Sequence, residues 1–307
     1  MSSAAGNKVS AMNDPIIDIK DLTKFYGKSR GIENVNLEID KGEVFGFIGP
    51  NGAGKSTTIR ILMNLIFPTG GSARIMGMDV VRQTKEIKRK TGYIPSDANA
   101  YSFMEVEEFL NYFARFYDAQ DAANRIKELT NLFELDLKRK ISDLSTGNRK
   151  KVSIVQSLVH RPALLIMDEP TAGLDPLMQS LFFDLLRKEN QRGMTIFFSS
   201  HILGEVQMFC RRVAIIKEGK IIQLEDIDTL RKKQLKKVTI EFNNQVNPEN
   251  LSFPGVVNLV ADPENRLSFM FSGNINELVS FLSGKMINNL MIEEPSLDEI
   301  FMHYYQI

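Results

Sequence analysis

Residues 49–57 constrain the fold of this chain more than any other stretch. They are Gly49-Pro50-Asn51-Gly52-Ala53-Gly54-Lys55-Ser56-Thr57 and match the phosphate-binding pattern G-x-x-x-x-G-K-[ST]. An apolar run over 43–48 predicts a buried strand before the loop, and apolar residues at helical spacing over 56–67 predict a helix after it. Backbone N–H groups converge on an anion where such a loop enters a helix. The sequence therefore predicts a nucleoside triphosphate site.

Each residue type in this loop suits that chemistry. Glycine lets the backbone approach the phosphates without a Cβ in the way. Lys55 brings a positive charge to the outer phosphates, and the Ser56 hydroxyl is a ligand for Mg²⁺. The predicted phosphate-contacting residues are Gly49, Asn51, Gly52, Ala53, Gly54, Lys55, Ser56 and Thr57.

Composition excludes several other classes of protein. Lys+Arg and Asp+Glu are 38 each, so no overall basic field favours a nucleic acid partner. The single cysteine excludes an internal disulfide and fits a reducing compartment. No apolar run approaches the roughly 18 residues of a membrane-spanning helix, and no signal peptide pattern opens the chain. If a membrane is involved, we expect other chains to cross it.

Hydrophobic patterning divides the 307 residues into three segments. Residues 1–14 are small and polar, which predicts a disordered leader. Residues 15–230 combine an antiparallel β subdomain, a parallel α/β core, and a helical insertion over about 90–160. Residues 231–307 predict a small α+β domain, with helices over 275–282 and 296–305 and a hairpin turn at 262–265. The fold class is α/β, with a P-loop NTPase core and a small C-terminal α+β appendix.

A second part of the predicted site follows the apolar strand over 163–167. Two adjacent carboxylates, Asp168 and Glu169, end that strand. A P-loop nucleotide needs an acidic group at the end of a neighbouring strand for the Mg²⁺ shell, a role that suits Asp168. Hydrolysis needs a base in line with the γ-phosphate, which suits Glu169. An Asp-Glu pair alone is commonly an exposed turn, but it gains meaning downstream of a P-loop.

The order of further motifs resembles one family, the nucleotide-binding subunits of ABC transporters. Leu144-Ser145-Thr146-Gly147-Asn148 is similar to its Leu-Ser-Gly-Gly-Gln signature, and Leu174-Asp175-Pro176 to its D-loop. His201 corresponds to the switch histidine, and Tyr26 to the aromatic residue that stacks on adenine. The resemblance covers about residues 16–227. Without it, Ser145 is an ordinary helix N-cap, and His201 and Tyr26 are structural residues.

The resemblance implies ATP as the nucleotide and two copies of the ATPase around it. Ser145 and Gly147 would face a partner's ATP, with Asp175 nearby. Lys55, Glu169 and His201 would act in hydrolysis. A transmembrane permease and a second ATPase subunit, most simply an identical one, are the implied partners. The chain would be peripheral at the cytoplasmic face of the cell membrane and would touch the membrane only through the permease.

The signature departs from the family pattern at Thr146 and Asn148, where the family favours glycine and glutamine, and a larger departure lies at position 96. Ser96 stands where the family usually has a glutamine that senses Mg²⁺ and the membrane partner; serine is shorter and would reach the metal through water. Residues 293–301 resemble the ends of ATPases from bacitracin-resistance and ABC-2-type exporters. The sequence is thus interpreted as an exporter ATPase. A soluble ABC ATPase of translation or DNA repair and a nucleotide-gated binding subunit with weak turnover stay open as alternatives.

Overall fold

The protein is described by a computed structural model that covers residues 14–97, 103–117, 121–232, 235–243, 253–262 and 265–295. Residue contacts divide the chain into two units. The first consists of Met1–Ser200 with Phe209–Leu224, and the second of His201–Met208 with Glu225–Ile307. The predicted leader, apart from Asp14, lies outside the described residues.

The elements alternate between strands and helices through most of the first unit. In chain order they are β1 (Ile17–Tyr26), β2 (Ser29–Ile39), β3 (Val44–Ile48), α1 (Lys55–Leu62), β4 (Gly70–Ile75), β5 (Met78–Asp79), α2 (Thr84–Lys90), β6 (Thr91–Ile94), α3 (Val106–Ala114), α4 (Ala122–Leu132), α5 (Thr146–Leu158), β7 (Leu164–Asp168), α6 (Pro176–Gln191), β8 (Thr195–Ser200), α7 (Leu203–Phe209), β9 (Arg212–Lys217), β10 (Lys220–Asp226), α8 (Ile227–Lys232), β11 (Leu235–Phe242), β12 (Val256–Ala261), β13 (Arg266–Ser272), α9 (Ile275–Leu282) and β14 (Ile287–Glu293).

A six-stranded sheet forms the core of the first unit, in the order β10-β9-β3-β8-β7-β6. The pairs from β9 to β6 are parallel. The side chains of β7 and β8 are buried along both strands, as expected for a parallel sheet covered on both faces. Parallel strands direct their carboxyl ends to one edge, so the residues after β3, β7 and β8 come together there.

A second sheet, in the order β2-β1-β4-β5, is antiparallel and matches the predicted β subdomain. Alternate residues of β1, such as Ile17 and Ile19, are fully buried. They share one hydrophobic cluster with Phe45 and Phe47 of β3. This common core fixes the end of β1, which carries Tyr26, beside the loop that follows β3.

Two details of the first unit differ from the sequence prediction. The helix after the P-loop ends at Leu62 instead of residue 67, because Asn64 adopts a left-handed conformation (φ 47°) that stops it. Thr91–Ile94, expected within a helical stretch, is strand β6, paired with β7. The helical insertion therefore begins after this strand. Gly92 allows close packing there, since a Cβ would collide with the carbonyl oxygen of Ser157.

The helical insertion contains α3, α4 and α5, and a buried ion pair joins it to the core. Arg125 of α4 is 1% exposed and binds Glu189 of α6, with 2.8 Å between Nη2 and Oε1. Arg192 binds the same Glu189 oxygen at 2.8 Å. These contacts hold α4 against α6.

The second unit contains the predicted small α+β domain. Its antiparallel sheet has the order β12-β13-β11-β14. One face packs on α9, with Val238, Ile240 and Leu278 in the shared core. The predicted boundary at residues 230–231 falls inside α8, and the predicted helix over 296–305 lies outside the described residues. Asp262 donates from its backbone N–H to the carbonyl of Arg266, which closes the predicted hairpin.

Candidate active site

The P-loop connects β3 to α1 at the carboxyl edge of the core sheet. Gly52 and Gly54 have φ values of 79° and 111°, in the region that favours glycine. Gly54 also lies so close to β2 that a Cβ would be 2.7 Å from Cγ2 of Ile32. Lys55 begins α1, and the first turn of that helix holds no acidic residue to oppose an anion. The loop therefore has the conformation and the surroundings of an anion-binding site.

Lys55 is buried, with 4% of its surface exposed. Its Nζ donates to the carbonyl oxygens of Gly49 at 2.7 Å and Pro50 at 3.2 Å. The same Nζ lies 3.4 Å from Oε1 of Glu169. The structure thus brings together the predicted phosphate-binding cation and the predicted catalytic base, although 113 positions separate them in the chain (169 − 55 − 1).

The carboxylates Asp168 and Glu169 are held by Ser199 on the neighbouring strand β8. The Ser199 hydroxyl donates to Oδ1 of Asp168 at 2.7 Å. The Glu169 N–H donates to the carbonyl oxygen of Ser199 at 3.1 Å and approaches its hydroxyl at 3.3 Å. Sequence reasoning missed Ser199, because a serine that ends an apolar strand gives no signal of its own. Its position opposite Asp168 emerges only from the pairing of β7 with β8.

Glu169 adopts a left-handed backbone conformation, with φ at 47°. This conformation costs a residue with a side chain about 1–2 kcal/mol. The two contacts of its N–H with Ser199 hold the backbone in place against that cost. The turn directs the carboxylate toward Lys55 instead of continuing the strand, so the local strain accompanies the position of the predicted base.

A pocket of about 220 Å³ lies over the P-loop. Its lining residues are Tyr26, Arg30, Gly31, Asn51, Gly52, Ala53, Gly54, Lys55, Ser56, Thr57 and Glu169. Tyr26, 46% exposed, stands at the rim, and a Cβ on Gly31 would lie 2.9 Å from its ring. Arg30, which pairs with Glu218 at 3.5 Å, is a cation at this pocket that sequence reasoning missed. Only the sheet pairing brings it there.

Seven predicted site residues lie outside this lining, namely Gly49, Ser96, Ser145, Gly147, Asp168, Asp175 and His201. Ser145 is the N-cap of α5 and accepts a hydrogen bond from the Asn148 N–H at 3.3 Å. Gly147 packs on the loop after β7, where a Cβ would stand 2.6 Å from the carbonyl oxygen of Gly173. Asp175 is the N-cap of α6 and accepts from the Met178 N–H at 3.0 Å. Each thus has a structural role within the chain; roles toward a partner's nucleotide stay predictions.

Ser96 and His201 also stay predictions as site residues. Ser96 follows β6, and its carbonyl oxygen accepts from Nζ of Lys150 at 2.9 Å. His201 directly follows β8, belongs to the second unit and is exposed.

Two titratable groups on α5 and β6 respond to the charge of Asp168. Burial lowers the pKa of Lys150 to about 8, and the charges of Asp168, Asp97 and Glu169 oppose that fall. Burial also raises the pKa of Tyr93 to about 12, and the Asp168 charge adds to the rise. Asp168 therefore lies close enough to both α5 and β6 to act on their titratable groups.

Comparison with known proteins identifies the family. The ABC transporter family pattern matches residues 32–172. The bacitracin transport ATP-binding protein BcrA of Bacillus licheniformis is 36% identical over 236 residues, which cover 75% of this chain and 76% of that protein. The chain belongs to the ABC transporter ATP-binding proteins. It is an ABC ATPase with the P-loop NTPase fold predicted from the sequence, and ATP is its nucleotide.

Two further relatives extend this similarity over the whole chain and to a solved dimer. The linearmycin resistance ATP-binding protein LnrL of Bacillus subtilis (strain 168) is 29% identical over 304 residues, or 94% of this chain and 97% of that protein. The dimeric structure of a post-hydrolysis state of the ATP-binding cassette MJ0796, bound to ADP and Pi, aligns with a TM-score of 0.64 and 27% identity. That alignment covers 69% of this ABC ATPase and 98% of the cassette. None of the helices described in this ABC ATPase is long and apolar enough to cross a membrane.

The residues present suit a Mg²⁺ ion that arrives with ATP. No cluster of three or more His, Cys, Asp or Glu side chains suitable for a metal occurs among the described residues. Mg²⁺ needs no such cluster in a nucleotide site, because phosphates and water supply most of its ligands. Asp168, 1% exposed and oriented by Ser199, and the Ser56 hydroxyl in the first turn of α1 supply the one carboxylate and the one hydroxyl expected.

Proposed function

We propose that this ABC ATPase powers an exporter of the ABC-2 type by pairing with a second copy and with a separate transmembrane permease. The apposition of Lys55 and Glu169 at 3.4 Å supports hydrolysis instead of binding alone. Similarity along almost the full length of LnrL, a resistance protein, supports the exporter class. The chain then works peripherally at the cytoplasmic face of the membrane, without a nucleic acid partner.

In this proposal the P-loop holds the ATP phosphates and Lys55 neutralises charge on the outer two. Glu169 accepts the proton of the attacking water as it adds to the γ-phosphorus, and the bond to the β-phosphate oxygen breaks. Ser199 keeps both carboxylates oriented. Ser56 and Asp168 would hold a Mg²⁺ ion, which would further neutralise the phosphate charge. Tyr26 stacks on adenine at the pocket rim, and Ser96 and His201 assist at the metal and the γ-phosphate.

In this proposal, the second copy completes the nucleotide site with its Ser145, Gly147 and Asp175. Ser145 caps the start of α5, a thirteen-residue helix whose first turn carries no acidic residue. A helix N-terminus of this kind favours a negatively charged group. Two identical chains arranged head to tail would each present this end to the other's P-loop, so that ATP favours the pair.

The permease is proposed to occupy a groove of about 300 Å³ in the first unit. Its lining residues are Met63, Leu65, Lys88, Thr91, Tyr93, Pro95, Phe109, Phe113, Tyr117, Arg149, Ser153, Gln156 and Ser157. The lining includes two cations, Lys88 and Arg149, and no carboxylate, so an apolar segment with acidic residues is the matching occupant. Leu65, 53% exposed, lies in this groove, and Phe116, 57% exposed, packs on Phe113 beside it. Pro95 connects the groove to the loop that carries Ser96.

The two alternatives make different predictions. A soluble ABC ATPase without a permease would need no apolar groove with a fixed partner. A nucleotide-gated binding subunit would not need a carboxylate beside Lys55. We favour the exporter ATPase on both grounds.

Affinity purification from detergent-solubilised membranes of the source cells tests the proposal. The tagged chain should recover a polytopic membrane protein, identified by mass spectrometry, in stoichiometric amount. The Leu65→Asp variant should no longer co-purify with that membrane protein but should keep its ATPase activity in solution. Val260→Asp, at a 63% exposed position in the C-terminal unit, is the matched control and should still co-purify with the membrane protein. Recovery of ribosomes or DNA-repair proteins instead, or equal recovery with both variants, would contradict the proposal.

A further inference from the structure

Lys150 is a buried cation that neither the sequence pattern nor the family comparison assigns to the reaction. It lies five residues after Ser145, on α5, with 2% of its surface exposed. Its Nζ donates to the carbonyl oxygens of Pro95 and Ser96, at 2.9 Å each. A buried ammonium group is tolerated only with such partners, so these two bonds are strongly maintained.

The loop bound by Lys150 lies at the metal side of the site. It follows β6, which pairs with β7, the strand that ends at Asp168. Asp168, Asp97 and Glu169 are the carboxylates whose charges act on the Lys150 ammonium. The Lys150 side chain thus connects the helix that begins near Ser145 to the backbone of Ser96, close to the carboxylates at the edge of the core sheet.

We propose that Lys150 is a positioning residue for hydrolysis, which fixes the Pro95–Ser96 backbone beside Asp168 and Glu169 and transmits displacements of α5 to that loop. The transmission follows from the two hydrogen bonds, because a shift of α5 must either carry the carbonyls along or leave a buried ammonium unpaired. The serine at position 96 has a short side chain, so the loop position depends on this backbone contact. The inference goes beyond the proposed exporter function and does not require a permease.

Lys150→Met is the direct test, because methionine has a similar length and neither charge nor N–H donors. We expect the turnover number for MgATP to fall at least tenfold while the KM for ATP changes less than threefold, since the P-loop is untouched. Amide hydrogen exchange in a peptide that spans residues 93–97 should accelerate at least tenfold. The exchange measurement needs neither ATP nor metal.

Lys151→Met is the matched control. Lys151 is the next residue of the same helix, and its Nζ donates at 3.2 Å to the carbonyl oxygen of Phe133, inside the helical insertion. This variant should keep turnover and the exchange of residues 93–97 within threefold of the unmodified protein. Lys150→Arg, which retains charge and donors, should recover at least a third of the lost turnover.

Unchanged turnover or unchanged exchange in Lys150→Met would overturn the proposal, as would an equal loss in Lys151→Met. If Lys150→Met does not fold, Lys150→Gln is measured and judged by the same criteria. Failure to recover a permease in the purification described above would contradict the exporter proposal but would not change the expected result for Lys150→Met. The two proposals can therefore be rejected independently.

Discussion

At the scale of single residues, the site depends on a carboxylate held in an unfavourable backbone conformation. Glu169 has a φ of 47°, two backbone contacts with Ser199, and an ion pair with Lys55. The ion pair keeps both groups in the pocket over the P-loop. We therefore expect nucleotide binding and hydrolysis to depend on different members of this small cluster, so that substitutions can separate the two.

Glu169→Gln should keep ATP binding and lower hydrolysis at least about 100-fold, as the loss of a general base does. The amide keeps the size of the side chain, so the loop conformation is preserved. Equilibrium binding of a fluorescent ATP analogue and single-turnover hydrolysis measure the two effects. Steady-state turnover equal to that of the unmodified protein would assign the base elsewhere, with His201 the next candidate.

Lys55→Ala should weaken ATP binding at least about tenfold, because a charge-assisted contact with the phosphates is lost. Tyr26→Ala should weaken it less, since only base stacking of about 1–3 kcal/mol is removed. Isothermal titration calorimetry with ATP and with GTP compares the nucleotide affinities of the two variants. Unchanged affinity for both nucleotides in Tyr26→Ala would make Tyr26 a purely structural residue.

The P-loop and the Asp168–Glu169 pair could be predicted because their chemistry is local in sequence. Ser199, Arg30 and Lys150 could not, since a serine in an apolar strand and cations in ordinary amphipathic segments carry no distinguishing pattern. Their roles arise from β7–β8 pairing, from the packing of β2 on the P-loop, and from the contact of α5 with the loop after β6.

At the scale of elements, two ion pairs that involve α6 differ widely in exposure. The Arg125–Glu189 pair between α4 and α6 is buried on both sides. The Arg187–Asp184 pair on α6 is about half exposed. Both pairs have a separation of 2.8 Å, but the Arg125–Glu189 pair is buried and joins two helices, whereas the Arg187–Asp184 pair is exposed and lies within one helix. We therefore expect the first pair to contribute more to stability.

Glu189→Gln should therefore lower the free energy of unfolding by about 3 kcal/mol, because the buried Arg125 charge then keeps only its ion pair with the half-exposed Glu128 among the pairs described. Asp184→Asn, on the same helix, should cost less than about 1 kcal/mol. Urea unfolding monitored by circular dichroism compares them. Similar midpoints for the two variants would show that the buried pair contributes no more than the exposed one.

A histidine that follows the C-cap of α5 should make stability depend on pH. The His160 ring stacks on Tyr117, with centroids 3.7 Å apart and 8° between planes, and burial lowers the pKa of His160 from 6.5 to about 4. The unfolded chain thus binds a proton at a higher pH than the folded one. The stability contribution is present above pH 6.5 and is lost as pH falls toward about 4.

His160→Phe keeps the stacking and removes the titration. Between pH 7 and pH 4.5, thermal unfolding should show a smaller loss of stability in this variant than in the unmodified protein. The carboxylates titrate equally in both proteins, so the difference reports on His160. If the stability of the two proteins falls in parallel across that pH range, His160 does not contribute to the pH dependence.

Strongly periodic elements were predictable, and short ones were not. Strand β7 (Leu164–Asp168) lies within one residue of the apolar run predicted over 163–167. Strand β6, four residues long and containing Gly92, has too few positions to show a period, and its partner β7 lies about 70 residues later. The early end of α1 depends on the backbone of Asn64, which hydrophobic spacing does not reveal.

At the scale of the whole molecule, the described chain supplies one complete P-loop pocket and one signature segment that lies outside it. Ser145, Gly147 and Asp175 are absent from the pocket lining. In the proposed arrangement, a second copy brings them to the nucleotide. ATP would then bind the pair more tightly than the single chain, and hydrolysis would release it.

Sedimentation velocity of the Glu169→Gln protein tests this account most directly, because it joins the catalytic role of Glu169 to the pairing of two chains. The account predicts a dimer with MgATP, a monomer with MgADP, and no dimer when Ser145→Arg is added, although that double variant still binds ATP. A monomer under every condition, with ATP binding intact, would contradict it.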